Sequence, residues 1–309
     1  MTPDPVRTLS RGRTWLGIDV GGTKTALRAQ TDGGVVQDRV FHWAARGVEA
    51  DLAQLSREVG LLRGQLSTGF DSVGVGLPAT LDSNGVVSAW PNRPEWVGLD
   101  IHRVFRELFG GVPIRFADDA DLAALAEAEA GGSDRLFYIG VGTGVGGGMV
   151  IGGVSAGIAD TGSFEIGHLI TDADGPGCRC GRRGCLQATA SGPATLERAG
   201  RLRGAPVTFA ELRSGVIGEE QWAVQSVDLT CHRLAVAITG VNELLHPDVV
   251  VVGGGFAAGL PHFVARIDAH VRTLARPGVP STPSIRESRF GGLSTLHGAV
   301  ALARLLAPS

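Results

Sequence analysis

The chain has 309 residues, which suits two domains better than one. Hydrophobic residues make up 43% and charged residues 19%, so a large core is expected and disorder is not. A net charge of -3 argues against a nucleic-acid or polyanion binder, and no apolar run approaches the roughly 20 residues of a membrane span.

Met1 to Arg13 is polar and lacks the apolar segment of a signal peptide, so residues 1–14 read as a disordered tail. A cytoplasmic location is expected, and with it four cysteines that serve as metal ligands or buried thiols rather than disulfides.

Trp15–Val20 reads as a buried strand, Gly21-Gly22-Thr23-Lys24 as a turn and Thr25–Gln30 as a returning strand. Asp32-Gly33-Gly34 is a hairpin signal before a third strand, Val35–Phe41. Leu52–Leu66 has helical apolar spacing, Ser72–Leu77 is a strand stopped by Pro78, and Ile114–Ala117 is a short strand. Ala120–Ala130 is an alanine-rich helix stopped by Gly131-Gly132. The opening pattern then recurs about 125 residues later: strand Arg135–Val141, turn Gly142-Thr143-Gly144, strand Gly147–Ile151. This duplication predicts two related lobes facing a cleft. Farther on come an irregular Cys178–Gly184 segment, a long helix Gln221–Leu245, a strand Val249–Val252 and a closing helix Leu293–Leu306. The pattern predicts an α/β fold with mixed sheets covered by helices.

Five motifs carry chemistry. Asp19-Val20-Gly21-Gly22-Thr23-Lys24 places glycines at a strand turn, where exposed backbone N–H groups hold phosphate oxygens and Asp19 can orient hydrated Mg²⁺. It is strand–turn–strand and so differs from a P-loop; the plain alternative is a glycine hairpin. Gly142-Thr143-Gly144 repeats the logic, and Gly253-Gly254-Gly255 after a buried strand lets a base or ribose lie against the backbone. Asp118-Asp119-Ala120-Asp121 stands at a strand end before a helix, where one carboxylate caps the helix and another can accept the proton of an attacking hydroxyl. His168, Cys178, Cys180 and Cys185 supply one imidazole and three thiols, the donor set of a closed tetrahedral zinc site. Cys231, among apolar helical neighbours, reads as core.

Taken with Gly74-Val75-Gly76-Leu77-Pro78, Pro91-Asn92-Arg93-Pro94-Glu95-Trp96 and Glu165-Ile166-Gly167-His168 followed by Cys178-Arg179-Cys180-Gly181-Arg182-Arg183-Gly184-Cys185-Leu186, these motifs make the chain resemble the ROK family of bacterial glucokinases, other hexose and N-acylhexosamine kinases, and sugar-responsive repressors. The resemblance runs from Trp15 to the C-terminus. It implies an actin-like, hexokinase-like fold (ribonuclease H-like): a small lobe 15–118 closed by helix 293–309, and a large lobe 119–292 with a zinc loop 168–185. It implies ATP-Mg across the cleft, held by Asp19, Gly21, Gly22, Thr23, Lys24, Gly142, Thr143, Gly144, Gly253, Gly254 and Gly255. It also implies Asp119 as catalytic base, sugar contacts from Asn92, Asp118, Glu165, His168 and Gln187, a structural zinc, and a homodimer or homotetramer.

Two departures from the family pattern bear on the substrate. Asp118 stands where the family usually has Asn, and Gln187 where it usually has Glu. Ionised Asp only accepts hydrogen bonds, whereas Asn also donates. Asp121 for a usual Asn and Ser163-Phe164 for the usual Ala-Gly are smaller changes; Phe164 is expected to narrow the pocket. The expected activity is ATP-dependent phosphorylation of the primary hydroxyl of a hexose-like sugar. The alternatives are a kinase of a sugar-like C7 cyclitol in secondary metabolism and a non-catalytic sugar sensor. Only 14 residues precede Trp15, too few for the helix-turn-helix domain of the repressors.

Overall fold

The computed structural model describes residues 12–44, 47–66, 68–90, 93–157, 164–278 and 282–306. The chain divides into two compact units, one running up to Ala117 and resuming at Ala299, the other Asp118–Gly298.

The first unit contains β1 (Thr14–Val20), β2 (Lys24–Thr31), β3 (Val36–His42), α1 (Val48–Arg63), β4 (Ser72–Gly76), β5 (Thr80–Leu81), β6 (Val87–Ala89), α2 (Ile101–Phe109) and β7 (Ile114–Ala117). Its sheet has the order β3-β2-β1-β4-β7, with β1 antiparallel to β2 and parallel to β4. β4 is buried throughout, as a central strand covered on both faces must be, and Leu16, Ile18, Leu27, Val73 and Val75 are fully buried. Helix α2 starts where the Asp100 carboxylate accepts from the Arg103 N–H and stops at Gly110 in the left-handed region. It buries Ile101, Phe105 and Phe109.

The second unit begins with α3 (Asp119–Gly131), β8 (Arg135–Val141), β9 (Val145–Ile151) and β10 (Val154–Ser155). It continues through α4 (Leu186–Ala190), α5 (Gly192–Arg203), α6 (Phe209–Ile217), α7 (Gln221–Leu245), β11 (Val249–Gly253), α8 (Gly255–Ala258), α9 (Phe263–Leu274) and β12 (Ser284–Glu287). Helix α10 (Ser294–Leu306) gives its first residues to this unit and the rest to the first. The sheet order is β10-β9-β8-β11-β12, with β8 antiparallel to β9 and parallel to β11. Strand for strand this repeats the order and the directions of the first sheet, as the duplicated strand–turn–strand pattern implied. The core lies where α7 and its neighbours cover the sheet, around Ile139, Leu234, Ile238, Val250 and Ile267.

Two readings need correction. Thr14 belongs to β1 rather than to the expected tail: it is fully buried and its N–H donates to Asp71 at 2.7 Å; residues 1–11 lie outside the described residues. Helix α1 starts at Val48 rather than Leu52. Phe164 packs edge-on against Phe137, with ring centroids 5.9 Å apart, and is partly buried against the core of the second unit.

Candidate active site

In the first unit the β1–β2 turn is closed by the Gly21 N–H donating to the Lys24 carbonyl at 3.0 Å. A Cβ on Gly21 would stand 2.7 Å from that oxygen, so the turn requires glycine there. The outward carbonyls are held from behind. Trp43 Nε1 donates to the Gly21 carbonyl at 2.8 Å, and Arg93 Nε to the Gly22 carbonyl at 3.0 Å. The Arg93 guanidinium lies 4.8 Å from the Trp43 ring centre, and its Nη1 donates to Asp51 at 2.5 Å. With the carbonyls fixed this way, the N–H groups of Gly22 and Thr23 have no hydrogen-bond partner among the described residues. They form the kind of concavity that takes an anion. Asp19 is the last residue but one of β1; desolvation pushes its carboxyl up to about 6 against the opposing pull of Lys24. Asn92 lies outside the described residues.

In the second unit the β8–β9 turn is tighter by a residue: the Gly142 N–H donates to the Gly144 carbonyl at 2.9 Å, and Thr143 and Gly144 are exposed. Gly253-Gly254-Gly255 follows β11. Gly254 has φ +89°, and a Cβ there would lie 2.5 Å from the Val141 carbonyl oxygen, so only glycine lets this turn press against β8.

Asp118 is the capping aspartate: its Oδ1 accepts from the Ala120 N–H at 2.9 Å. Asp119 is the first residue of α3, and its carbonyl accepts from Thr295 Oγ1 at 3.1 Å. Asp121 is only 6% exposed, and its Oδ1 has no hydrogen-bond partner among the described residues. Burial and the charge of Asp118 push its carboxyl up to about 7, while a bond from the Ser155 hydroxyl pulls the other way. Glu165 is also raised, by the protein packed around it and by Asp118, against the pull of His168.

The ligand atoms of His168, Cys178, Cys180 and Cys185 all lie within 4.8 Å of one another. His168 Nδ1 is 3.8 Å from Cys178 Sγ, and Cys180 Sγ is 3.7 Å from Cys185 Sγ. Tetrahedral zinc with Zn–S bonds near 2.3 Å separates its sulfurs by about 3.8 Å, so the residues fit that ion. His168 Nε2 lies 4.0 Å from Glu165 Oε2, and Gln187 Nε2 donates to Cys178 Sγ at 3.4 Å. The backbone N–H of Arg182 leads the groups that hold the Cys180 thiol down, to about 6, which favours the thiolate a metal binds. Cys231 is fully buried in α7, as read from its neighbours.

A family model described as "ROK family" matches residues 15–305. The chain belongs to the ROK family. Within it, the chain is 49% identical over 293 residues to a kanosamine kinase of Amycolatopsis mediterranei, covering 94% of this chain and 96% of that one. A ROK hexokinase structure from Thermus thermophilus is 30% identical, with a TM-score of 0.84, 94% of this chain and 98% of that one covered. A ROK glucokinase from Streptomyces griseus, solved with glucose and AMPPNP, is 22% identical, with a TM-score of 0.80, 96% and 100% covered. The ROK fold of this chain is thus the actin-like α/β fold of those enzymes. No helix of the described residues is long and apolar enough to cross a membrane.

The contacts of Arg93, Trp43 and Asp51 with the glycine turn were not readable in the sequence. Arg93 does stand inside the Pro91–Trp96 motif, but its ion pair spans 42 positions and leaves no local signal.

Proposed function

We propose that this ROK protein is an ATP-dependent kinase that transfers the γ-phosphoryl group to the primary hydroxyl of a hexose or hexose-like sugar, with Asp119 as general base. The observation that supports this best is Asp119 at the first position of α3, beside the capping Asp118 and in the same unit as the second glycine turn. Kinase names recur among the relatives: a kanosamine kinase, a hexokinase, and a glucokinase bound to glucose and AMPPNP. All of them are sugar kinases, which favours a sugar over a cyclitol.

In this reading Asp119 orients the sugar hydroxyl and takes its proton as the new O–P bond forms. The bond from the γ-phosphorus to the bridging oxygen breaks, and ADP leaves with the electron pair. The free N–H groups of Gly22 and Thr23 hold phosphate oxygens, and Lys24 adds a positive charge. Gly142, Thr143 and Gly144 do the same from the second turn, and the Gly253–Gly255 segment lets the nucleoside lie against the backbone. Asp19 is the residue to hold hydrated Mg²⁺, which when bound neutralises charge developing on the phosphates. Asn92, Asp118, Glu165, His168 and Gln187 contact the sugar. Zinc on His168, Cys178, Cys180 and Cys185 is structural and fixes the segment that carries Glu165 and Gln187. A reducing compartment suits those three thiols.

The test is ADP formation with Mg-ATP across a panel of hexoses, hexosamines and cyclitols. Turnover of at least one hexose-class sugar is expected. Silence across the panel together with tight sugar binding would instead mark a sensor.

A further inference from the structure

The acidic end of α3 points to the kind of sugar. Asp118 uses one oxygen, Oδ1, as the helix cap, and its Oδ2 has no hydrogen-bond partner among the described residues. Asn in this position, as the family usually has, caps a helix equally well. The change from Asn to Asp therefore leaves the helix end as it was. What it alters is the free atom of the side chain, from an N–H donor to a charged acceptor. No Lys or Arg forms an ion pair with Asp118, Asp121 or Glu165 among the described residues. The one basic partner among the described residues is His168, which belongs to the candidate metal site.

A second observation concerns burial rather than charge. Asp121, 6% exposed, keeps a carboxylate oxygen with no partner among the described residues, close enough to Asp118 to feel its charge. A buried, unpaired carboxylate oxygen beside a second carboxylate is costly unless it takes up a proton or a cation or donor arrives from outside. Meanwhile the carboxylate usual at position 187 is replaced by Gln187, whose amide turns to Cys178. Negative charge has moved onto the start of α3. A neutral sugar offers only hydroxyls to it; a protonated amine offers a charge-assisted bond about twice as strong. The 49% identical relative is named for kanosamine, a hexose with an amine on C3.

We propose, resting on the sugar-kinase reading, that the substrate is an aminohexose whose protonated amine sits on a secondary ring carbon, and that Asp118 Oδ2 is the specificity-determining acceptor for that amine.

The experiment compares kcat/KM for kanosamine, glucosamine, glucose and N-acetylglucosamine in the wild-type chain and in Asp118→Asn, a variant that keeps the cap. Expected is at least a tenfold preference for one of the free amines over glucose at pH 7, no such preference for the acetylated sugar, and a tenfold or greater fall of the amine-to-glucose ratio in Asp118→Asn. Glucose turned over as well as either amine by the wild type, or an unchanged ratio in the variant, overturns the assignment while leaving the kinase intact. Turnover of none of the four sugars overturns both.

Discussion

Arg93 and Asp51 form a buried ion pair, Nη1 to Oδ2 at 2.5 Å, in which both side chains are less than a tenth exposed. Trp96 Nε1 donates to the same carboxylate oxygen at 2.9 Å, and Arg93 Nε reaches the Gly22 carbonyl. The pair thus ties helix α1 to the first glycine turn. Breaking it from one side strands a buried charge. Arg93→Met is expected to lose about 3–5 kcal/mol by urea denaturation, and adding Asp51→Asn to recover part of that loss. The single variant is also expected to raise KM for ATP more than it lowers kcat, because the Gly22 carbonyl is released. A loss of less than about 1 kcal/mol would mean that the pair is not what holds the turn.

Asp121 predicts a pH effect. Its folded carboxyl is raised to about 7, above the unfolded value of about 3.9. Folding therefore favours the protonated form. The associated stability is fully present below about pH 4 and is lost as the pH rises to about 7. Asp121→Asn is expected to be about 1–3 kcal/mol more stable than wild type at pH 8, and the gain to vanish near pH 4. Urea titrations at the two pH values check this; an equal difference at both would contradict it.

The cysteine loop predicts one zinc per chain, measured by metal analysis of purified protein. Cys185 is fully buried, so Cys185→Ser is expected to lose the ion and the order of the Glu165–Gln187 segment. The variant should then show a melting point no longer lowered by a chelator, whereas the wild-type melting point falls on chelation.

Gly254 predicts a steric effect. A Cβ at φ +89° would meet three Val141 backbone atoms at 2.5–2.8 Å, none of which is a flexible side-chain end. Gly254→Ala is expected to yield insoluble protein or a loss of several kcal/mol, whereas Gly255→Ala, where the added carbon meets nothing, should fold.

The strands that carry the turns were legible because buried strands bounded by glycine leave a periodicity in the sequence. Ile114–Ala117, Arg135–Val141 and Gln221–Leu245 have the limits read for them. The mid-chain helices were passed over although their signals are local: Ser191 with Pro193 opens α5, and Thr208 with Glu211 makes a capping box at α6. Strand β12 was passed over as well; at four mostly exposed residues on a sheet edge it has no apolar pattern to read. Of the candidate site, the metal ligands and the capping aspartates were visible as types and spacings. The Arg93–Asp51–Trp43 support was not, because it joins positions that only the folded chain brings together. Nor was the strained carboxylate of Asp121, whose burial depends on Ser155 and Gly157 coming to rest beside it.

The most direct measurement is kcat of Asp119→Asn with Mg-ATP and the best substrate of the panel. The substitution keeps size and removes the basic oxygen, so a fall of about 10²–10⁴ is expected with KM for ATP little changed. Retention of more than about a tenth of wild-type turnover would contradict the assignment of Asp119 as the base.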